Sequence, residues 1–565
     1  MKLVERRYTE RDRQALVAAG VHPLLARLYA ARRIASATEL RYELASLHAP
    51  GLLKNLDQGA RLLADAIAEK KRLLIVADYD ADGATACAVG VRALRAFGAD
   101  VEYLVPDRFK LGYGLTPELV DLAAASKPDI LITVDNGIAS VEGVARANAL
   151  GIVTLITDHH LPGAELPAAA CIVNPNQPGC EFPSKALAGC GVMFYLMVAL
   201  RAELRRRKHE RAEFHLGSLT DLVALGTVAD VVPLDANNRN LVSQGLKRIR
   251  NGRGQAGINA LLRAAGRRPD EVSSFDFGFV AGPRLNAAGR LADMTLGIEC
   301  LITDDEARAA NCADALDKLN RDRRKIEAGM LEQAVKYLNG VAESGSTFFN
   351  PDWHEGVVGI LASRLKDRLH LPVICFARSV NSAPSGGLLL KGSGRSIPAL
   401  HLRDCLDLVS KRAPGLILRF GGHAQAAGLT IAEADYARFA QAMERALEEL
   451  LPTTARQHVV ETDGGLEGGQ LTLNTARMLE AEIWGQGFPQ PLFCDNFAVE
   501  NQRVVGERHL KLQLQKDGKR YEAMRFGSLG TLPATLPGRI RAAYRLAVNE
   551  FNGLKTVQLN VEHYE

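Results

Sequence analysis

The sequence predicts a multidomain α/β protein with a parallel β-sheet in its N-terminal half and a β-barrel at its C-terminus. Its 565 residues exceed what one hydrophobic core normally holds. Between residues 72 and 160, short apolar runs alternate with helical stretches, which is the pattern of a parallel sheet. Beyond residue 452, apolar and polar residues alternate, as in HLKLQLQ, and this favours a small barrel or sandwich.

The predicted strands of the parallel sheet are RLLIVAD, VEYLVP, DILITVD and IVTLITD. Helical stretches separate them, among them ATACAVGVRALRAFG and residues 117–125. A strand, a helix and a further strand in this order form a βαβ unit. In such sheets, ligands bind beyond the carboxyl ends of the strands.

The rest of the chain contains helical regions and a second α/β region. Residues 1–50 are predicted to form short helices, residues 184–211 a helical region, and residues 304–338 a long charged connecting helix. In the second α/β region, the runs VVGILASRL and LPVICFA are predicted strands, and the segments KGSGRS and FGGHAQAAG are predicted loops.

Composition argues against several classes of protein. The formal net charge is only +4, so a surface that binds nucleic acid must be local. The nine cysteines include no C-x-x-C pair, which argues against a disulfide scaffold and a structural zinc site and favours a reducing cytoplasm. The N-terminus is too charged for a signal peptide, and the longest apolar run has about half the length that spans a bilayer. We therefore expect a cytoplasmic protein without a membrane segment.

Carboxylates and imidazoles follow three of the predicted strands: Asp78, Asp80, Asp82, Asp135, Asp158, His159 and His160. A single aspartate there commonly caps the next helix, but capping does not account for carboxylates at three successive strand ends. Carboxylates brought together repel one another unless cations neutralise them. Oxygen ligands with one or two imidazoles suit Mn²⁺ or Mg²⁺, and two such ions about 3.5–4 Å apart promote hydrolysis of phosphoesters.

Seven motifs, taken together, resemble those of one known family. Four of them look like the motifs of the DHH phosphoesterases: DYDADG, VDNG, DHH and GTVAD, which begin at Asp78, Val134, Asp158 and Gly226. Three more look like the associated DHHA1 domain: WHEGVVG, GSGRS and GGHAQAAG, which begin at Trp353, Gly392 and Gly421. The resemblance covers residues 70–450, and its specificity comes from the joint occurrence of the motifs.

With the C-terminal alternation, the resemblance implies five segments. They are an N-terminal helical segment (1–50), a DHH catalytic domain (51–300), a connecting helix (301–340), a DHHA1 domain (341–452) and an OB-like barrel (453–565). The metals would lie on one wall of a narrow cleft between the DHH and DHHA1 lobes, and phosphate-binding segments on the other.

The metal ligands that the resemblance implies, position by position, are Asp80, Asp82, Asp135, His159 and Asp230. Asp135 would bridge two divalent cations, Mn or Mg, and Asp221 stays open as an alternative last ligand. His160 is expected to contact the scissile phosphate or donate a proton, so that His160 and Asp135 are the catalytic residues. Asp78 and Asp158 are expected to lie behind the ligands, where Asp158 could orient His159.

A second set of residues is expected, by resemblance, to bind the DNA backbone and its terminal phosphate: Arg108, Arg284, Ser393, Arg395 and His423. Independently of the family, the glycines of KGSGRS permit a concave run of amides, and an arginine can bind phosphate through two hydrogen bonds. Most glycine-serine segments are ordinary loops, however. Arg290 and, in the barrel, Lys511 are further candidates.

The resemblance implies an exonuclease specific for single-stranded DNA, which works from the 5′ end, releases 5′-mononucleotides and serves DNA repair and recombination. A cleft too narrow for a duplex would explain the strand selectivity. The family also implies a single-stranded-DNA-binding protein and a helicase as partners. The sequence offers no clear oligomerisation signal, so we expect a monomer.

Two alternatives remain open from the sequence. One is a phosphodiesterase for short oligonucleotides or cyclic dinucleotides, or a pyrophosphatase, which would need no OB-like domain. The other is a non-catalytic DNA-binding protein on a decayed version of the same fold. Decay should remove carboxylates or histidines from the motifs, and here all are present.

Overall fold

The computed structural model describes residues 2–107, 112–340, 345–379, 387–451, 459–467, 469–506, 509–527 and 535–565. Within these ranges, the chain forms two open five-stranded sheets, one closed five-stranded barrel and one two-stranded sheet. No helix in the described part is long and apolar enough to cross a membrane.

The N-terminal segment contains one strand besides its helices. Strand β1 (Lys2–Glu5) precedes helices α1 (Glu10–Ala18), α2 (Pro23–Ala30) and α3 (Leu56–Ala68). Thr9 caps α1 by accepting a hydrogen bond from the Asp12 amide. Strand β1 pairs in parallel with residues 459–462, so the start of the chain joins the segment that precedes the barrel. The sequence did not predict this strand.

The first open sheet consists of the parallel strands β2 (Arg72–Ala77), β3 (Asp100–Leu104), β4 (Ile130–Val134), β5 (Val153–Thr157) and β6 (Cys171–Val173). Their order is β3-β2-β4-β5-β6, which confirms the predicted parallel sheet. Helices α4 (Ala81–Phe97), α5 (Pro117–Ala124) and α6 (Val141–Ala149) lie between strands in the sequence. Ile75 and Val76 of β2 belong to different hydrophobic clusters, as expected for a sheet covered on both faces.

A helical region follows the first sheet: α7 (Gly189–Arg206), α8 (Thr220–Ala229), α9 (Ala236–Arg250), α10 (Ala256–Ala264), α11 (Ser274–Asp276), α12 (Gly282–Leu291), α13 (Thr295–Ile302) and α14 (Glu306–Gly340). A π-helical turn, Phe277–Ala281, joins α11 to α12. Helix α14 contacts α10, α12 and α13 and then reaches the second lobe, so it corresponds to the predicted connecting helix.

The second open sheet contains β7 (Thr347–Phe349), β8 (Val373–Arg378), β9 (Leu389–Arg395), β10 (Arg419–Gly422) and β11 (Ala426–Ala432) in the order β10-β11-β9-β8-β7. Helices α15 (Val358–Leu369), α16 (Leu402–Arg412) and α17 (Tyr436–Leu450) accompany it. This lobe has a hydrophobic core of its own around Phe376, Leu402 and Phe439.

Two predictions in this lobe are wrong. The run VVGILASRL lies mainly in helix α15, and its buried residues have helical spacing: Val358, Leu361, Ala362 and Leu365. The segments KGSGRS and FGGHAQAAG lie largely in strands β9, β10 and β11 rather than in loops. Their glycines make room for side chains, since a Cβ at Gly392 would lie 2.5 Å from Phe376 Cε1 and one at Gly394 2.7 Å from Leu402 Cδ2.

The C-terminal region begins with β12 (Val459–Thr462) and α18 (Leu473–Ala481) and continues as β13 (Phe493–Val505), β14 (His509–Lys516), β15 (Lys519–Phe526), β16 (Arg539–Phe551) and β17 (Leu554–Tyr564). Strands β13 to β17 close into a barrel in the order β13-β14-β15-β17-β16, which confirms the predicted barrel. In β14, Leu510, Leu512 and Leu514 are buried at alternate positions, as the sequence pattern predicts.

Helix α10 approaches α13 so closely that only glycine fits at position 257. A Cβ there would lie 1.8 Å from the carbonyl oxygen of Cys300. We expect Gly257→Ala to lower the free energy of unfolding by about 1–3 kcal/mol, because one helix must shift. Gly329→Ala is the matched control, since nothing lies within 4 Å of its Cβ position in α14, and it should stabilise by about 0.4–1 kcal/mol. Equal unfolding curves for the two variants would contradict the close approach.

Candidate metal centre

Three aspartates extend the ends of neighbouring strands by one residue. The amides of Asp78, Asp135 and Asp158 donate to Val134, Thr157 and Val173 at 3.2, 3.0 and 3.2 Å, so the parallel hydrogen bonding continues through them. Each aspartate follows the last residue of its strand, and the three therefore lie side by side at the carboxyl edge of the sheet. Asp135 then turns the chain away with a left-handed φ of 62°.

The loop after β2 and the first turn of α4 hold two further carboxylates, Asp80 and Asp82. Asp80 caps α4, because its Oδ1 accepts hydrogen bonds from the amides of Asp82 and Gly83 at 2.9 and 3.0 Å. Asp82 is fully buried, and its two oxygens accept from the amides of Gly189 and Cys190 at 2.6 and 2.9 Å. These amides begin α7, so the positive end of that helix stabilises the carboxylate.

His159 joins this edge to the end of helix α8. Its Nε2 lies 3.1 Å from Asp135 Oδ1 and 3.5 Å from Oδ2 of Asp230, the residue that directly follows α8. Three groups in the described part of the chain bring potential ligand atoms within 4.8 Å of one another: Asp82, His159 and Asp230; Asp78, Asp80 and Asp135; and Asp135, His159 and His160. Asp135 and His159 each belong to two of them, and of the two side chains only the Asp135 carboxylate has a second oxygen for a second ion, which fits a bridging position. Asp78 belongs to one, so it reaches the cluster and is a candidate ligand.

The atoms at the middle of this cluster fit a divalent cation. Asp135 Oδ1 and His159 Nε2 are buried and have no hydrogen-bond partner. Leaving such atoms unsatisfied costs about 1–3 kcal/mol each, more when charged. Carboxylate oxygens with one imidazole nitrogen are a donor set that suits Mn²⁺ or Mg²⁺.

The protein alone disfavours a fully ionised cluster. Burial, followed by the neighbouring carboxylates, raises the pKa of Asp135 and of Asp230 well above the usual value of 3.8. Burial also raises the pKa of Asp82. Burial lowers the pKa of His159, which favours the neutral imidazole. A neutral imidazole can offer its Nε2 lone pair to a metal ion.

Asp158 and His160 form a hydrogen-bonded pair beside the cluster. His160 Nδ1 lies 2.7 Å from Asp158 Oδ1, which also accepts from the amides of His159 and His160. Burial alone would lower the pKa of His160, but the hydrogen bond and charge of Asp158 raise it to about 9. The Tyr113 hydroxyl lies 3.3 Å from both ring nitrogens of His160. Without bound metal, His160 therefore favours the cationic form at neutral pH.

Three further predicted residues lie in the second lobe, and one of them, His423, reaches His160. The ring of His423 lies 6.4 Å from that of His160, with the planes inclined by 18°. Its turn is next to the end of β9, because the Ser396 amide donates to Gln425. On β9, Ser393 and Arg395 occupy alternate, half-buried positions, and Arg395 Nη1 donates to Ser393 Oγ at 3.1 Å. The structure thus places Ser393 and Arg395 together on β9, and His423 beside His160.

Other predicted residues have different surroundings. Arg284 is 8% exposed, donates to the Val280 carbonyl at 2.7 Å and pairs with Asp317 of α14 at 2.7 Å. Arg290 donates to the Gly356 carbonyl at 3.1 Å and so connects the two lobes. Lys511 pairs with Glu522 of the neighbouring strand at 3.0 Å. Arg108 lies outside the described residues. The phosphate-binding and DNA-binding roles of these residues stay predictions.

Asp221 and Asp230 lie at opposite ends of α8. Asp221 is fully buried and accepts hydrogen bonds from the amides of Gln255 and Leu222 at 2.7 and 3.0 Å. Burial raises its pKa to about 6. Only Asp230 of the two belongs to the clustered ligand groups of the described residues, so the geometry favours Asp230 as the last ligand.

Several residues that hold this centre in place carry no sequence signal for a role at the metal site. The side-chain amides of Asn176 and Asn174 donate to the carbonyls of His159 and His160 at 2.6 and 3.0 Å and fix the backbone of the histidine pair. Asn286 of α12 accepts from the Ala81 amide at 2.8 Å. The asparagines at 174 and 176 could be predicted as turn residues, but their partners depend on the tertiary fold.

Comparisons with known proteins agree with this arrangement. The chain matches the family models DHH family, N-terminal domain at residues 72–227, DHHA1 domain at 333–449 and RecJ OB domain at 462–563. It is 49% identical to the single-stranded-DNA-specific exonuclease RecJ of Dickeya dadantii (strain 3937), over 96% of this chain and 95% of that protein.

Two crystal structures of RecJ from Thermus thermophilus are similar to the whole chain. The complex with Mn²⁺ has a TM-score of 0.82 at 30% sequence identity, covering 100% of this chain and 79% of that chain. The complex with Mg²⁺ has a TM-score of 0.75 at 29% identity, covering 100% and 78%.

A parallel sheet with this acidic edge, a facing second lobe and a clustered aspartate–histidine set define the class of metal-dependent DHH phosphoesterases. Within that class, the identity over the full length and the match to the RecJ OB domain decide the family. The chain belongs to the RecJ family.

Replacing Asp135 by asparagine tests the metal centre through stability. Asparagine adopts the left-handed backbone of this position readily, so the turn should survive. Without metal, we expect Asp135→Asn to be at least as stable as the parent, because one buried carboxylate is removed. With Mn²⁺ at 100 times its Kd, the parent should gain about 2.7 kcal/mol, and the variant much less. Equal Mn²⁺-induced shifts in thermal unfolding would contradict the assignment.

Asp221 and Asp230, at the two ends of α8, provide a matched comparison that tests which of them is the last metal ligand along the chain. Asp230→Asn should weaken Mn²⁺ binding, measured by calorimetry, at least tenfold with little change in metal-free stability. Asp221→Asn should instead lower the free energy of unfolding by about 1–3 kcal/mol, because a buried acceptor of two amides is altered, while Mn²⁺ binding is retained. The reverse pattern would assign the ligand to Asp221.

Proposed function

We propose that this protein is a metal-dependent exonuclease that digests single-stranded DNA from the 5′ end and releases 5′-mononucleotides. The single observation that carries the proposal is the convergence of Asp135, His159 and Asp230 beside a facing lobe whose His423 lies next to His160. The RecJ relatives, named single-stranded-DNA-specific exonucleases, support the choice of substrate.

The cluster would hold two divalent cations, Mn or Mg. The candidate ligands are Asp78, Asp80, Asp82, Asp135, His159 and Asp230. When bound, such a pair supplies an activated water and positive charge at the scissile phosphate. Asp135 belongs to two ligand groups and is the candidate bridge between the ions. Asp158 holds both histidines in place through their backbone amides.

His160 is the group that we assign to proton transfer. The Asp158 carboxylate keeps its ring cationic and fixes the orientation of Nδ1. A cationic imidazole beside the scissile phosphate can donate a hydrogen bond to a phosphate oxygen or a proton to the departing sugar oxygen. Tyr113 limits the rotation of this ring by contacting both of its nitrogens.

The second lobe would determine the polarity of digestion. His423 lies beside His160, and Ser393 and Arg395 occupy alternate half-buried positions on β9 of the same lobe. A guanidinium can bind a terminal phosphate through two hydrogen bonds. A 5′-phosphate held there would place the first phosphodiester bond at the cations. A cleft that admits one strand excludes a duplex by its width.

We further propose the division into segments 1–50, 51–300, 301–340, 341–452 and 453–565, in which the barrel binds the strand outside the cleft. The enzyme would act in the cytoplasm as a monomer in DNA repair and recombination. A helicase would supply strands, and a single-stranded-DNA-binding protein would cover them. The family resemblance supports these partners.

An assay with end-labelled DNA tests the activity. With Mn²⁺ or Mg²⁺, we expect purified protein to convert a long 5′-phosphorylated single strand to mononucleotides, and to leave blunt duplex intact. A chelator should abolish the reaction. Turnover of dinucleotides without digestion of long strands would favour the oligonucleotide phosphodiesterase instead. Absence of any hydrolysis with intact Mn²⁺ binding would favour the non-catalytic alternative.

The end preference tests the phosphate site. We expect Arg395→Ala to reduce kcat/KM on 5′-phosphorylated strands about 10–100-fold, and much less on strands with a 5′-hydroxyl, since a charge-assisted pair is lost only from the former. Arg412→Ala is the control, because Arg412 pairs with Glu449 on an exposed helix of the same lobe. An equal loss on both kinds of end would contradict the assignment.

A further inference from the structure

Two exposed phenylalanines flank a buried one in the segment next to helix α8. Phe275 is 49% exposed and Phe279 is 65% exposed, whereas Phe277 between them is fully buried in the main core. The rings of Phe275 and Phe279 stack on each other, with centroids 4.5 Å apart and planes inclined by 21°. The segment therefore presents a two-ring aromatic surface to solvent, which we call the phenylalanine pair.

The phenylalanine pair is attached to residues that position the metal centre. A Cβ on Gly278 would lie 3.5 Å from Val228 Cγ1, and one on Gly282 would lie 2.9 Å from Ala229 Cβ. Val228 and Ala229 are the last two residues of α8, and Asp230 follows them directly. On the opposite side, the same helical segment meets the acidic loop, since Asn286 accepts from the Ala81 amide. The pair thus lies on a helical segment, residues 273–286, that also packs against the end of α8 and the start of α4. We call this segment the support.

This support is held by hydrogen bonds at both ends. At its start, the Ser273 and Asp276 side chains form a capping box, and Ser274 Oγ donates to the Trp484 carbonyl at 2.8 Å. At its end, Arg284 donates to the Val280 carbonyl of the π-helical turn at 2.7 Å. π-Helical turns are rare in proteins, and many of those known lie at functional sites. Because hydrogen bonds hold both ends of the segment, the aromatic surface is preformed.

Arg284, which donates to the π-helical turn, is connected through Asp317 to an exposed cation on α14. Asp317 of α14 accepts from Arg284 at 2.7 Å and also lies 3.3 Å from Arg321, whose side chain is 65% exposed. A strand that passes the pair could stack a base on the exposed rings. Stacking on aromatic faces is one way in which proteins bind single strands without sequence preference.

We propose that Phe275 and Phe279 form a base-stacking platform that holds one unpaired nucleotide of the DNA strand next to the metal centre on the side of Asp230. This inference rests on the proposed function and extends it by assigning residues that position the strand. A base within a duplex has both faces covered by its neighbours, so the platform favours unpaired bases. It would act together with the width of the cleft in selecting single strands.

Binding to strands with single abasic sites tests the platform. Affinity is measured by fluorescence anisotropy with Ca²⁺ in place of Mn²⁺, for the parent, Phe279→Ala, Phe279→Trp and Tyr337→Ala. Tyr337 is 62% exposed on α14 and serves as the aromatic control. We expect Phe279→Ala to raise Kd for an intact strand about 5–100-fold, Phe279→Trp to restore it, and Tyr337→Ala to leave it unchanged.

An abasic site moved along the strand separates stacking from a general defect. When the abasic site lies at the nucleotide that stacks on the platform, the Kd of the parent should rise by the same factor as Phe279→Ala raises it for the intact strand. The Kd of Phe279→Ala should not rise further with this abasic strand. Unchanged binding by Phe279→Ala would overturn the platform and leave the pair as a surface for a protein partner. An equal further loss at every abasic position would also overturn it.

The same preparations distinguish the platform from the activity itself. Digestion of single strands by the parent with Mn²⁺ tests the proposed function, independently of any variant. If the parent digests DNA and Phe279→Ala binds it normally, only the platform is rejected. If the parent digests nothing, the proposed function is rejected as well. Unchanged Mn²⁺ binding and thermal unfolding of Phe279→Ala are required as controls for its folding.

Discussion

The repulsion among carboxylates at one edge of a parallel sheet is the constraint on which the rest of the structure depends. The register of β2, β4 and β5 places Asp78, Asp135 and Asp158 side by side, and none of them can move away without breaking the ladder. The protein relieves part of this repulsion with dipoles and with neutral protonation states, as the raised pKa of Asp135 indicates. Only bound cations can neutralise the repulsion that is left. The clustered carboxylates therefore favour metal binding but lower the stability of the metal-free fold.

The elements around the cluster are arranged to tolerate this charge. The first amides of α7 bind both oxygens of Asp82, and the close approach of α7 requires glycine, because a Cβ on Gly189 would lie 2.7 Å from Asp135 Oδ1. Asp158 takes the opposite role, since its hydrogen bonds hold a cationic His160 beside the acidic group. A cationic imidazole thus lies beside buried carboxylates, and the second lobe adds His423 next to His160.

Much of the first lobe could be predicted from the sequence, because parallel strands align their carboxyl ends whatever the details of packing. That rule was enough to predict from the sequence that the aspartates and His159 lie together at one edge of the sheet. It did not show that Asp78 reaches the ligands, since the direction of a side chain after a strand depends on the turn that follows. The partner of Arg284 was also inaccessible, because Asp317 lies on a helix whose position is set by tertiary packing.

The second lobe was harder to predict for a different reason. Glycine-rich stretches usually indicate loops, but here Gly392 and Gly394 lie in a central strand because Phe376 and Leu402 occupy the space above them. Likewise, the β-branched run at the start of α15 has strand propensity, and packing against the sheet overrides it. The spacing of apolar residues therefore identifies elements with one buried face. It fails for a glycine-rich strand, because side chains of neighbouring elements fill the space above the glycines.

The pairing of β1 with β12 has a consequence for synthesis of the chain on the ribosome. Arg6 and Asp463, which form an ion pair beside this ladder, are 457 positions apart in the sequence. At roughly 5–20 residues per second, the first strand waits on the order of 20–90 s for its partner to be translated. During that interval the nascent N-terminus has an unpaired edge, and ladder formation becomes a late step that joins a folded catalytic lobe to the emerging barrel.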